Sequence, residues 1–205
     1  FSLMRSLFNS SILLKALKNG KKGVITANRL DVEAIDNAVR DCIAAAESSV
    51  ADEAESIAEK GKNEEFTTGV LTPDRDRLFD RLQEYMDDVR RDYPRIVIEQ
   101  LISKYSRSER VFMNTNGVEF KHTSGIYDIS SMFSAHEGDR ASSFNGYGAD
   151  FTSLDGKLID LGMQRALYAE SEKQLHTKPC SGKFSGKLLI TPACLAEILS
   201  MAFSN

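Results

Sequence analysis

The sequence predicts an α+β fold: an antiparallel or mixed β-sheet meander covered by helices. Three observations lead there. Leu30, Ala34, Ile35, Ala38, Val39, Cys42, Ile43 and Ala46 recur at the spacing of one helix face. From Arg95 to Phe151 the apolar period changes from helical to alternating. The order along the chain is hairpin, helices, meander, helix, strand, helix, without an internal repeat.

Residues Ile12 to Ala27 form two apolar patches around Lys18-Asn19-Gly20-Lys21. Asn-Gly tolerates the positive φ of a tight turn, so this segment reads as strand, turn, strand. Asn28, with Asp31 three positions on, favours the start of the first helix. Its alanine-rich stripe suits close packing on a sheet. Ser48 to Lys60, rich in Ala and Glu, reads as a second, solvated helix, and Gly61 to Thr72 as a polar loop. Pro73-Asp74 opens a helix with a buried face of Leu78, Phe79, Leu82, Tyr85, Met86 and Val89, ending before Pro94. In the meander, Arg107-Ser108-Glu109, Asn116-Gly117 and Glu137-Gly138-Asp139 punctuate short β-prone runs. Asn145 to Gly148 reads as a bend or irregular strand, because no helix start or Lys-Ser/Thr pair follows to make a phosphate loop. Leu158 to Leu175 is helical, His176 to Ser185 a polar linker, and Gly186 to Pro192 a buried strand closed by proline. Ala193 to Asn205 reads as the first turns of an apolar helix without a C-terminal cap, which suggests a longer chain. The expected organisation is one domain over 1–205, with hairpin and helices in 1–94 and meander, helix, strand and last helix in 95–205.

Composition narrows the function classes. Over 205 residues, 41% are hydrophobic and 27% charged, as in ordinary globular proteins. No apolar run is long enough to span a bilayer, and the first eight residues lack the order of a signal peptide. The net charge of −4 argues against direct nucleic-acid binding, which needs a basic face. Cys42, Cys180 and Cys194 form no CxxC pair and read as reduced, small hydrophobes of a cytoplasmic protein.

No self-sufficient catalytic constellation is visible. His122, His136 and His176 lack a partner histidine at metal-ligand spacing, and there is no HExxH. Ser130-Ser131 and Ser142-Ser143 lie outside any GxSxG elbow. Lys183 and Lys187 around Phe184 are too little for a single-strand binding platform.

From Arg110 onward the order of motifs resembles the TldD/PmbA family, also labelled modulator of DNA gyrase. The carrying segments are Val111–Gly117, the alternating strand Thr123–Ala135, Phe144–Gly148, the helix Lys157–Leu175 and Ser181–Pro192. Gly23–Asn28 and the following helix match the family's early hairpin and helix. The resemblance implies an N-terminal α+β domain, with a C-terminal β-rich domain outside this sequence. It further implies an intracellular, cytoplasmic metallopeptidase system acting on peptides or unfolded proteins, built as a homodimer or as a heterodimer with a TldD-like zinc subunit. In the zinc-bearing type, HExxxH lies on the helix after the last strand, and a cysteine of the C-terminal domain completes the site. Counted from Pro192, the two histidines fall on Ser200 and Asn205 and the glutamate on Met201. The resemblance is therefore to the PmbA (TldE) type: no catalytic residue and no metal ligand in this chain, and zinc expected only in a HExxxH-bearing partner. A non-enzymatic homodimer that binds or regulates other proteins is the second expectation, and direct DNA or gyrase binding the third.

Overall fold

The computed structural model describes residues 5–179, 182–183 and 185–203. It is a mixed α+β structure, as the alternation and helix periodicity predict. Its contacts divide it into two units. The first comprises the described residues up to Glu84 with Ile102–Ser130 and Gly148–Leu158. The second comprises Tyr85–Leu101, Ser131–Tyr147 and the described residues from Ile159 onward.

The first unit opens with a hairpin, β1 (Ile12–Lys18) and β2 (Lys21–Ala27), paired antiparallel with Leu14 opposite Ile25. Asn19 and Gly20 carry φ of 53° and 74°, the two left-handed positions that a two-residue turn matching strand twist requires. Helix α1 (Val32–Ser48) packs on one face of the hairpin through buried Ala38, Cys42 and Ala46. Its cap is Asp31, whose carboxylate accepts from the Ala34 N–H at 3.0 Å. The expected cap at Asn28 is thus displaced by three residues; the acidic residue does the capping itself. Gly23 is where helix and hairpin meet. A Cβ there would stand 2.0 Å from the Cys42 carbonyl oxygen and 2.6 Å from the Ala46 nitrogen.

The second helix expected over Ser48–Lys60 does not form. Instead the chain folds back on the hairpin. The Asp52 N–H donates to the Gly20 carbonyl at 2.8 Å, and Ala51 bridges to Lys21. Glu55 accepts from both Lys15, at 2.7 Å, and Lys22. Tertiary ion pairing and backbone bonds override the helix propensity of the Ala/Glu tract. The expected loop over Gly61–Thr72 also differs: it contains β3 (Glu64–Gly69), parallel to the first part of β5.

Helix α2 (Arg75–Asp92) starts where Asp74 accepts from the Arg77 N–H at 3.0 Å, and it ends before Pro94. Tyr85 and Val89 are buried as expected, whereas Phe79 is 58% exposed. The meander proves to be two long strands, β4 (Ile96–Met113) and β5 (Glu119–Glu137). Arg107-Ser108-Glu109 does not interrupt β4, because an exposed strand accepts charged residues without breaking. The turn at Asn116-Gly117 is confirmed: the Asn114 side chain accepts from the N–H groups of Asn116 and Val118. A turn this short permits only antiparallel pairing of β4 with β5. The second turn, at Glu137-Gly138, leads to β6 (Arg140–Ala141), antiparallel to β5. Asn145 to Gly148 belongs to a true strand, β7 (Asn145–Phe151), also paired with β5. The sheet order is β3-β5-β4, with β6 and β7 on β5.

The helix expected over Leu158–Leu175 is broken into a short 3-10 turn (Leu158–Asp160), α3 (Gln164–Lys173) and a second 3-10 turn (Gln174–His176). Gly186–Pro192 is not a buried strand. Leu188 and Leu189 are 84% and 91% exposed, and Pro192 starts helix α4 (Pro192–Phe203). Proline suits a first helical position, where its missing N–H leaves no bond unmade. No described helix is long and apolar enough to cross a membrane.

Gly23→Ala should destabilise the chain by about 1–3 kcal/mol, because the added methyl meets helix backbone rather than a movable side chain. Urea unfolding measures this. An unchanged midpoint would contradict the close approach of α1 to the hairpin.

Candidate functional site

Helix α4 carries the positions that the sequence points to. Ser200 and Met201 lie on α4 and both are exposed; Asn205 lies outside the described residues. Leu195, Ile198, Leu199 and Phe203 on the same helix are 44%, 47%, 45% and 83% exposed. A zinc centre requires several imidazole, thiolate or carboxylate donors converging on one point. A serine hydroxyl and a methionine thioether at these places do not fit a zinc ion. Among the described residues no group of three or more His, Cys, Asp or Glu side chains could hold a metal.

Each histidine meets partners of its own. His122 stacks on Phe66, with ring centres 4.6 Å apart, and its Nε2 is 3.0 Å from the Thr68 hydroxyl. His136 Nε2 lies 2.9 Å from the Ser134 hydroxyl. His176 meets Arg140 at 2.9 Å and Glu137 at 3.5 Å. Of the cysteines, Cys42 is buried with its thiol toward the carbonyls of Leu14 and Gly23, and Cys194 is exposed on α4. Cys180 and Phe184 lie outside the described residues. Ser131 is buried and donates to Gln164 at 3.3 Å, and Ser142 donates to the Ser143 carbonyl; neither faces a base that could activate it.

The first unit instead presents an open sheet surface. Along β5, Thr123, Gly125, Tyr127 and Ile129 are buried, while Phe120, His122, Ser124, Ile126 and Asp128 alternate with them and stay half-buried. Cross-strand contacts define that second face. Phe112 of β4 stacks with Phe120 at 6.2 Å between ring centres. Ser108 meets Ser124 at 2.8 Å, and Lys104 meets Asp128 at 3.6 Å. On the other side of β5, Phe66 and Thr68 of β3 join His122. Phe66 and Phe112 are 47% and 53% exposed. β3 has β5 as its neighbour and no strand on its outer side among the described residues, so a row of its N–H and C=O groups is unpaired.

Two hollows flank this sheet. One, of about 210 Å³, is lined by Asp74, Arg77, Tyr127 and Asp155 among others. Its polar groups are consumed internally: Arg77 pairs with Asp155 at 2.6 Å, and the Asp74 N–H donates to the Tyr127 hydroxyl at 2.8 Å. The other, of about 270 Å³, is lined by Asn63, Glu64, Glu65, Glu119 and Lys121. Here Lys121 pairs with Glu65 at 3.2 Å. The bond to Glu65 and the fields of Glu65, Glu109 and Glu119 raise the Lys121 ammonium above its ordinary pKa. The β3 edge and its glutamates were missed in the sequence. The signal was Phe66-Thr67-Thr68 closed by Gly69, a β-prone run outweighed by polar neighbours.

The second unit is built on a buried polar core. The Tyr85 and Tyr168 hydroxyls share a hydrogen bond, and Phe133 meets the Tyr168 ring edge-on at 4.5 Å. Burial pushes both phenols above their ordinary range. Asp92 is clamped by Arg91, at 2.7 Å, and Arg165, at 2.9 Å, and Arg165 also reaches Asp160. Hydrogen bonds from Arg91, then Arg165, hold the Asp92 carboxyl down at about 2.

This architecture defines an α+β sheet protein with an open strand edge and an exposed apolar helix whose Ser200 and Met201 do not suit a zinc ion. In particular, its fold is similar to that of TldE from Thermococcus kodakarensis, with 15% sequence identity, a TM-score of 0.60 and coverage of 80% of this chain and 37% of TldE. The chain is also similar to a protein of Thermotoga maritima named as a candidate modulator of a DNA gyrase, at 16% identity, TM-score 0.47, and 80% and 36% coverage. It thus has the TldE type of fold and spans little more than a third of the length of those proteins. No family model and no curated protein matches the sequence.

The clamp on Asp92 has a pH signature. Its folded-state pKa lies below its ordinary 3.8, so its contribution is present above that value and is lost as pH falls toward about 2. Other carboxylates titrate in the same window, so the comparison is with Asp92→Asn. The urea midpoint of the parent should fall more steeply than that of the variant between about pH 4 and pH 2. Parallel curves would remove the clamp from the account.

Proposed function

We propose that this chain is a PmbA-like, non-catalytic component of a cytoplasmic TldD/PmbA-type metallopeptidase system. It handles peptides or unfolded segments while a zinc-bearing HExxxH partner cleaves them. What supports the reading is the TldE type of fold together with the count from Pro192, by which the resemblance puts the first histidine and the glutamate of the zinc-bearing type at Ser200 and Met201. Zinc hydrolysis needs protein ligands that leave one position open to water, and a general base beside it. Neither role is available to a serine or a methionine, so no step through zinc is assigned to this chain.

The peptide-handling part is supported by the open sheet of the first unit. An unpaired strand offers main-chain hydrogen bonds to an extended segment of any sequence, and neighbouring side chains select among them. The half-exposed Phe66 and Phe112 with the Ser108–Ser124 pair make such a face, apolar at one end and hydroxyl-rich at the other. Pairing with the zinc subunit belongs to the same proposal, and the exposed apolar stripe of α4 is compatible with a covering partner.

Zinc analysis and peptide cleavage by the isolated chain test the reading. After incubation with zinc and gel filtration, the chain should keep far less than one zinc per molecule and show no chelator-sensitive cleavage. Stoichiometric zinc with chelator-sensitive cleavage by the chain alone would overturn the non-catalytic assignment.

A further inference from the structure

β4 has β5 on one side and no strand on the other among the described residues. Its stretch Ile102–Met113 lies in the first unit. There β4 and β5 keep a single register: Phe112 meets Phe120, Ser108 meets Ser124, Tyr105 meets Tyr127 and Lys104 meets Asp128. At the turn the Asn114 N–H donates to the Val118 carbonyl, so the even-numbered residues of β4 direct their main-chain groups to β5. The odd-numbered residues from Ser103 to Met113 therefore turn theirs outward, to an open edge. Among the described residues of this part of the sheet, the ion pairs are Lys104–Asp128 and Lys121–Glu65. Arg107 and Glu109, both exposed and both on the odd-numbered face, belong to neither.

We propose that this edge pairs with the same edge of a second copy of the chain, antiparallel about a twofold axis at Ser108. Such an axis stands normal to the sheet, so it pairs odd with odd and even with even. Centred on Ser108, it sets Arg107 opposite Glu109 of the second copy and Glu109 opposite Arg107 of the second copy. The charge match is thus made twice. On the same face Tyr105 meets Val111, which is 52% exposed in the single chain. On the other face Lys104, already held by Asp128, meets Phe112. Neighbouring registers lack this match. Centred on Arg107, the pairing sets Arg107 against itself and Lys104 against Arg110; centred on Glu109, it sets Glu109 against itself. Centred on Ser106, it puts Arg107 against Tyr105 and Glu109 against Ser103, with no ion pair. Facing opposite charges stabilise a strand pair and facing like charges destabilise it, so the edge selects its own copy in one register. The contact leaves the β3 edge open, because β5 lies between, and it stands independently of the peptidase reading.

Sedimentation velocity of the intact chain at low salt tests this, over a range of about 1–100 μM. Edge pairing is smaller than a standard interface, so the dimer should dissociate at a concentration on the order of 10 μM. Glu109→Arg and Arg107→Glu each set like charges face to face twice, and each should weaken the dimer by at least about tenfold. The double variant Arg107→Glu/Glu109→Arg restores opposite pairs and should return to within about threefold of the parent. Because both side chains are exposed, the urea midpoints of all four proteins at low concentration should agree. Hydrogen exchange should slow in 103–111 as the parent is concentrated. A parent that stays monomeric up to about 100 μM, a dimer indifferent to the single reversals, or a double variant as weak as the singles would overturn the pairing.

Discussion

The structure depends on the alternation of β5, which holds from Thr123 to Phe133. Its odd-numbered positions from Thr123 to Ala135 are buried, and they include Tyr127, Ile129 and Phe133. Every other strand of the large sheet, β3, β4, β6 and β7, pairs with it. A slip of one residue would turn Tyr127 and Phe133 to water and bring Asp128 and His122 inside. In the first unit the tyrosines at 105 and 127 and Phe151 build on that register, with ring centres 5.2 and 5.4 Å apart. In the second unit Phe133 meets Tyr168, and Ser131 reaches Gln164, from the same series of buried positions.

Local signals with a single physical cause were legible in the sequence. Asn19-Gly20 announced the hairpin because few other pairs tolerate two positive φ angles. The alanine and cysteine stripe of α1 announced close packing, and Gly23 is what allows it. Alternation announced β5. Signals that depend on distant partners were misread. The Ala/Glu tract after Ser48 lost its helix to Lys15, Lys21 and Lys22 on the hairpin, none of which its own sequence reveals. β3 was hidden because it is a fully exposed, polar strand whose partner lies more than fifty residues away. Apolar Gly186–Pro192 suggested burial, yet its leucines are exposed among the described residues.

The functional reading combines a shared fold with a chemical mismatch. Fold alone does not carry an activity. What bears on function is the identity of two side chains on α4, Ser200 and Met201, neither of which suits a zinc ion. The three histidines and the buried serines, which invite catalytic readings, each satisfy a local structural partner. Among the described residues no group of three or more His, Cys, Asp or Glu side chains could hold a metal ion.

The central claim, a subunit that works beside a zinc-bearing relative, is tested most directly by coexpression with a HExxxH-bearing homologue from the same source, followed by native mass spectrometry of the purified complex. The account predicts a heterodimer that contains both chains and cleaves peptides until a chelator is added. Self-association alone, with no complex and no gain of cleavage on mixing, would contradict it.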